Sequence, residues 1–113
     1  MGVGPATVRR LALALPETAE APHHDMTSFR VAGKIFATVP PDRAHVHVFV
    51  DPDVVASYCA EFPGAVEELR WGTRLRGCRV VLRAATVPMV RELLTMAWRH
   101  RAPARLSSAG EDG

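Results

Sequence analysis

The chain has 113 residues, the length of one domain, and is 48% hydrophobic and 23% charged, as in an ordinary globular protein. The formal net charge is only +2 and apolar residues are plentiful, which excludes an intrinsically disordered chain. Two cysteines, Cys59 and Cys78, are too few for a disulfide scaffold or a cysteine-based zinc site.

The chain opens with a predicted helix and a predicted loop. After Pro5, apolar residues recur at helical spacing, which predicts a helix over residues 5–15. Leu15-Pro16 ends that helix, because a residue before proline is driven out of the α region. Residues 16–25 are polar and bracketed by prolines, and we predict that they form a loop.

Three strands are predicted next, over residues 28–31, 34–39 and 44–50. The first two flank Ala32-Gly33, a two-residue connection typical of a tight hairpin. The third alternates between apolar and other residues, so that His45 and His47 share one face. Two imidazoles on one face of a strand can bind zinc, but no third ligand is forced to converge on them, and we predict no metal site.

The second half of the chain predicts a helix, further strands and a last helix. Asp51 is a predicted N-cap, followed by Pro52 at the first helical position, and Pro63-Gly64 is typical of that helix's end. Residues 65–70 fit either a short strand or an irregular segment, whereas residues 76–83 form a clearer strand. The last helix is predicted to have Thr86 as its cap and Pro88 in its first turn, and to end before Pro103.

The resulting order is α-β-β-β-α-β-β-α. Consecutive strands, rather than strands that alternate with helices, predict an α+β two-layer domain. We predict one domain over residues 1–106 and a disordered tail over residues 107–113. The absence of a signal peptide, a membrane span and a myristoylation pattern leads us to expect a cytoplasmic protein that does not bind membranes.

A set of short motifs runs along residues 8–106 in a definite order. They are Leu15-Pro16-Glu17-Thr18, Pro22-His23, Ser28-Phe29-Arg30-Val31, Gly33-Lys34-Ile35-Phe36-Ala37, Asp51-Pro52, Trp71-Gly72, Gly77, and Ala97-Trp98 followed by Pro103 and Leu106. In order and spacing this set resembles the MmcQ/YjbR-like family. Two departures are Cys78, where the family has an aromatic residue, and the segment between Trp71 and Gly77, which looks longer than is usual.

The resemblance implies a curved antiparallel sheet covered by helices, similar to secretion-chaperone-like folds. It also implies DNA binding through a "double wing" of β-hairpins. Cys78 weakens any role that the resemblance would give to the aromatic residue at its position.

Charge is distributed unevenly along the chain. Residues 1–68 carry five basic and nine acidic side chains, a net of −4, whereas residues 69–113 carry nine arginines and three acids, a net of +6. Of the 14 basic residues, 13 are arginines, and their planar guanidinium groups suit bidentate phosphate contacts. The residues predicted to contact nucleic acid are Arg70, Arg74, Arg76, Arg79 and Arg83.

Two interpretations of these arginines remain open. They either contact DNA with low sequence specificity and strong salt dependence, or they are solvated and paired with acids such as Glu67 and Glu68. A protein-interaction or self-associating module is the alternative function. We interpret Cys78 as a buried small residue rather than a reactive thiol, and Trp71 as core or half-buried packing.

Catalytic motifs are missing from the sequence. It has no phosphate-binding Gly-Lys-Ser/Thr loop, no nucleophile elbow and no zinc-protease motif, and Gly2-Val3-Gly4 precedes every predicted strand. We therefore predict a protein without enzymatic activity or cofactor. A metal-using enzyme built on His45 and His47 is the weakest of the three hypotheses.

Overall fold

The computed structural model describes residues 2–106. Its helices are α1 (Pro5–Leu13), α2 (Pro52–Glu61) and α3 (Val87–Arg101), and a 3₁₀ turn covers Leu82–Ala84. The strands are β1 (Thr18–His23), β2 (Met26–Val31), β3 (Lys34–Val39), β4 (His45–Val48), β5 (Val66–Trp71) and β6 (Arg74–Val81). The predicted tail, residues 107–113, lies outside the described residues.

The six strands form one antiparallel sheet in the order β1-β2-β3-β4-β6-β5, so that β1 and β5 are its edges. Helices pack against one face of this curved sheet, and the architecture is therefore α+β, as predicted. Within the part of the chain described here, no helix is long and apolar enough to cross a membrane.

The predicted loop over residues 16–25 is wrong in its central part, because Thr18–His23 forms the edge strand β1. This segment pairs with β2 along its whole length, from Thr18 opposite Val31 to His23 opposite Met26. Pro22 is tolerated since an edge strand needs hydrogen-bond donors on one side only. The segment has little intrinsic β propensity, and pairing with β2 is what makes it a strand.

The hairpin between β2 and β3 is confirmed, and its turn has the expected chemistry. Ala32 and Gly33 have φ values of 51° and 79°, and two consecutive positive φ values are the mark of a type I′ turn. The alternation in β4 is also confirmed, because Val46 and Val48 are fully buried while His45 and His47 lie on the opposite face.

The strands that carry the arginines differ from the prediction. The open choice for residues 65–70 is resolved as strand β5, and β6 runs from Arg74 to Val81 rather than from Arg76 to Arg83. The segment that looked like a long loop is a two-residue turn at Gly72-Thr73, since Trp71 already pairs with Arg74. Arg83 falls in the 3₁₀ turn after the strand.

The core lies between the helices and the sheet face that carries Val46 and Val48. The α3 side chains Leu93, Leu94 and Trp98 are almost completely buried there, and each contributes about 1.5–3 kcal/mol to the folding free energy. The Trp98 indole N–H donates a 3.0 Å hydrogen bond to the Pro16 carbonyl, which fixes α3 against the segment that leads into β1.

The two predicted helix caps behave differently. The Thr86 hydroxyl accepts a 3.4 Å hydrogen bond from the Met89 amide, so that this cap is confirmed. Asp51 occupies the N-cap position of α2, but its side chain makes no capping hydrogen bond within residues 2–106. The Asp51 carboxylate instead lies 3.4 Å from His100 Nδ1 near the end of α3.

Candidate nucleic-acid interface

The β5–β6 hairpin presents an aromatic ring at its tip. Trp71 is the last residue of β5 and its side chain is 56% exposed, the one large hydrophobic residue among residues 2–106 to be so. Gly72 has a φ of 63° in the turn that follows, a conformation that costs glycine little. The interpretation of Trp71 as core or half-buried packing is therefore wrong, because strand pairing with Arg74 holds the ring at the tip.

Arg76 covers this exposed ring. Its guanidinium carbon lies 4.5 Å from the centroid of the Trp71 ring, within the range of a cation–π interaction. Arg76 reaches the ring because β6 has a bulge there: Gly77 pairs with Leu69 and Leu75 with Arg70, so that Arg76 has no partner across the ladder. A bulge bends the strand and redirects its side chain.

Gly77, the residue after the bulge, is required by a close approach of two strands. A Cβ atom at this position would lie 1.9 Å from the Val48 carbonyl oxygen, and no side chain larger than hydrogen fits. Gly77 thereby brings β6 against β4 and fixes where the hairpin that carries Trp71 and Arg76 leaves the sheet.

The other predicted arginines lie in three different settings. Arg74 is exposed at the start of β6, directly opposite Trp71. Arg70 donates hydrogen bonds to both carboxylate oxygens of Glu68, at 3.1 and 3.3 Å, and a third to the Thr73 carbonyl. Arg70 is therefore paired with an acid in the folded chain, whereas Arg74 and Arg76 supply the positive charge at the hairpin tip.

Arg79 and Arg83 lie away from the tip. Arg79 is opposite His47 on one side and Glu67 on the other, with its Nε 3.8 Å from a Glu67 oxygen, an ion pair too long for a hydrogen bond. Arg83 is exposed in the 3₁₀ turn, next to the N-terminal segment, where the Val3 amide bonds the Leu82 carbonyl. The five arginines therefore do not form one row.

The two strand histidines share one face, as predicted, but each has its own partner. His45 Nδ1 lies 2.8 Å from Asp42 Oδ2, and His47 Nδ1 lies 3.5 Å from the Thr38 hydroxyl. Burial, followed by the positive charges of Arg79 and His45, lowers the pKa of His47 and keeps its imidazole neutral near pH 7. In residues 2–106 no three His, Cys, Asp or Glu side chains are grouped to bind a metal ion.

Cys78 is fully buried on the core face of β6, which agrees with its interpretation as a small core residue. Burial, with a smaller contribution from Cys59, raises the pKa of the Cys78 thiol to about 12. The neighbouring arginines do not activate this thiol, because alternation along the strand turns Arg79 to the opposite face.

The charge asymmetry along the sequence is partly cancelled in the folded chain. Arg105 lies 3.2 Å from Glu17, so that an arginine of the basic half meets an acid of the acidic half. The Arg9–Glu20 pair, at 2.7 Å, neutralises charge within the first half. These pairs are exposed and each adds little stability. Within the hairpin, the Arg70–Glu68 and Arg79–Glu67 pairs offset positive charge, and Arg74 and Arg76 remain at the tip.

Comparison with known proteins gives one family and one similar structure of the same fold. A family model described as YjbR matches residues 13–100, and the chain belongs to the YjbR family. Its fold is similar to the crystal structure of Deinococcus radiodurans protein DR2400, which has a DUF419 domain, with a TM-score of 0.73 at 17% identity. The similarity covers 88% of this chain and 78% of that chain. A comparison with curated proteins gave no match.

Proposed function

We propose that this YjbR-family protein binds DNA through the tip of the β5–β6 hairpin, as a cytoplasmic protein without enzymatic activity. The observation that carries the proposal is the pair formed by Trp71 and Arg76: an exposed indole with a guanidinium 4.5 Å from its centroid. An aromatic face that stacks on bases, beside cations that contact phosphates, is the usual composition of a nucleic-acid surface.

The five predicted arginines contribute unequally to this proposal. Arg74 and Arg76 supply the contacts at the tip, whereas Arg70 is engaged by Glu68 and Arg79 lies near Glu67. Arg83 lies outside the hairpin and adds only to the general positive field. With so few cations, the affinity is expected to be modest, strongly dependent on salt and weakly dependent on sequence.

A titration of labelled single-stranded and duplex DNA, followed by fluorescence anisotropy at several salt concentrations, tests the proposal. The Arg74→Ala/Arg76→Ala variant should bind at least about tenfold more weakly at low salt. With duplex DNA the slope of log K against log salt should fall by about two, since each phosphate contact contributes roughly 0.9.

Arg91→Ala is the matched control, because it removes one positive charge from the exposed face of α3, on another element of the fold. It should leave binding nearly unchanged. No binding by the unaltered protein at low salt, or equal losses in the control and the hairpin variant, would contradict the proposal.

Self-association remains the second candidate function, and the edge strands favour it. β1 and β5 each present one unpaired side, and an exposed edge can pair with another copy of the chain. Sedimentation velocity at low and high salt tests this candidate. A monomer over the whole range would exclude it, and a dimer that survives high salt would support pairing through an edge.

A further inference from the structure

A cavity of about 560 Å³ opens on the sheet face opposite the core, between the β5–β6 hairpin and the C-terminal end of α3. Its volume is within the range of sites for small molecules. The residues that line it come from all six strands, from the segment after β4 and from α3. The residues that the site depends on most are Lys34, His47, Phe49, Trp71, Arg76 and Arg101.

Four of these side chains form a continuous row along the cavity. The Arg101 guanidinium lies 5.7 Å from the Phe49 ring centroid, and the Phe49 and Trp71 rings meet edge to face at 6.1 Å. Arg76 covers the other end of the row, over Trp71. A pair of aromatic rings is thus bracketed by two guanidinium groups.

The charged side chains that line the cavity are all positive. Lys34, Arg76 and Arg101 are cationic, and none of the lining residues within the described part of the chain is acidic. Positive charge in a concave, partly apolar site attracts anions more strongly than the same charge on an open surface.

Two polar atoms of the lining are buried without a partner. Within residues 2–106, Arg101 Nε and His47 Nε2 are shielded from solvent and make no hydrogen bond. Leaving a buried polar group unsatisfied is unfavourable, and such groups in native proteins call for a further partner such as a water, an ion or a ligand.

We infer that this cavity binds a small aromatic anion, that is, a planar ring bearing one phosphate or carboxylate group. The ring packs against Phe49 and Trp71, and the anionic group accepts hydrogen bonds from Arg101 or Arg76. The apolar side chains Met26 and Ile35 cover the rest of the ring, which favours an aromatic anion over inorganic phosphate alone.

This site and the proposed DNA surface share Trp71 and Arg76 but differ elsewhere. Arg101 lines the cavity and lies on α3, whereas Arg74 belongs to the hairpin tip and is not part of the lining. One variant at each of these two positions therefore separates the two functions. Arg101→Gln removes the Arg101 charge from the cavity and keeps a polar amide, and Arg74→Ala acts at the hairpin.

The test is a titration with 1-naphthyl phosphate, followed through the indole N–H resonances of the two tryptophans. Trp71 lines the cavity, whereas Trp98 is buried and hydrogen-bonded to the Pro16 carbonyl. The Trp98 resonance therefore reports whether each variant is folded. We expect saturable binding that shifts the Trp71 resonance and leaves that of Trp98 in place. Arg101→Gln should weaken this binding about tenfold, and Arg74→Ala should leave it unchanged.

Three further probes define the chemistry of the ligand. The neutral 1-naphthalenemethanol and inorganic phosphate should each bind at least about tenfold more weakly than 1-naphthyl phosphate, since each lacks one of the two recognised parts. 1-Naphthoate distinguishes a carboxylate from a phosphate ligand, and tighter binding of either anion supports the site. An unshifted Trp71 resonance, equal binding of the neutral compound, or full affinity in folded Arg101→Gln would overturn the inference.

The same variants keep the two proposals separable. If Arg74→Ala loses DNA affinity and Arg101→Gln retains it, the proposal of DNA binding at the hairpin tip is supported, whether or not the probe binds. If the unaltered protein binds the probe but not DNA, the cavity site stands without the DNA surface.

Discussion

The guanidinium carbon of Arg76 lies 4.5 Å from the centroid of the Trp71 ring, at the tip of an exposed hairpin. Arg76 reaches the ring because a bulge in β6 leaves it without a partner across the ladder. The pair joins two features of different origin: an arginine-rich segment that is visible in the sequence, and an aromatic ring whose exposure depends on the hairpin.

Replacing Trp71 with alanine should weaken DNA binding by about 1–3 kcal/mol, the usual contribution of one stacked base. Stability should change by less than about 1 kcal/mol, because more than half of the side chain is already exposed. Anisotropy titrations and urea unfolding measure the two effects. Trp71→Phe, which keeps an aromatic face, should retain most of the affinity, and full affinity in Trp71→Ala would contradict base stacking.

Gly77→Ala should destabilise the protein by about 3 kcal/mol or more. The added Cβ would lie 1.9 Å from the Val48 carbonyl oxygen, and because the nearest atoms are all backbone of Val48 and Phe49, no rotamer change relieves the clash. Thermal and urea unfolding measure the loss. Gly4→Ala is the matched control: a Cβ there meets no atom within 4 Å, so that only the N-cap preference, about 1 kcal/mol, is lost. Similar losses in both variants would contradict the steric explanation.

Stability should fall as the pH decreases below the ordinary histidine pKa of 6.5, because the pKa of His47 is lowered in the folded chain. At such pH the unfolded state binds the proton more readily, and the loss continues until the pH passes the folded pKa. The pKa of Asp42 is also lowered, from 3.8, but its protonation affects the free energy of unfolding only in a more acidic range.

Urea unfolding at about pH 8 and about pH 5 measures this dependence. His47→Gln, which does not titrate, should lose less stability over the interval than the unaltered protein, whereas His45→Gln controls for removal of a strand histidine. An unchanged pH dependence in His47→Gln would assign the effect to other groups.

The two thiols should differ in reactivity toward a disulfide reagent such as DTNB. Cys78 is fully buried with a pKa of about 12, so that it should react only after unfolding. Cys59 is half-buried and its pKa is raised by burial and by Glu68 and Glu67, so that it should react slowly in the folded protein. Cys59→Ser should leave no reactive thiol until denaturant is added. Rapid reaction of folded Cys59→Ser would contradict the burial of Cys78.

Much of the fold follows from short-range patterns in the sequence. Alternation predicted β4, proline and glycine positions predicted the helix ends, and Ala32-Gly33 predicted a hairpin turn. The edge strand β1 was missed because its residues have weak β propensity and a proline. Only pairing with β2, which the local sequence does not encode, makes it a strand.

The candidate site was predicted less completely than the fold. The arginine-rich second half is plain in the sequence, but which arginines are engaged depends on their neighbours across the sheet. Glu67 and Glu68 were named as candidate partners. Glu67 pairs with Arg79 because β5 and β6 are adjacent, whereas Glu68 pairs with Arg70, two residues further along β5 itself. Arg83 does not lie on β6 with the other arginines, because the strand ends at Val81, two residues earlier than the sequence pattern indicated.

Length, composition and motif order thus determine by themselves an α+β chain with an acidic first half and a basic second half. Tertiary structure alone decides that Trp71 is exposed beneath Arg76 and that Arg101 reaches Phe49, more than fifty residues away in the chain. The physical reason is range: propensity and periodicity act over one turn or one strand, whereas the exposure of a side chain depends on which distant elements pack beside it.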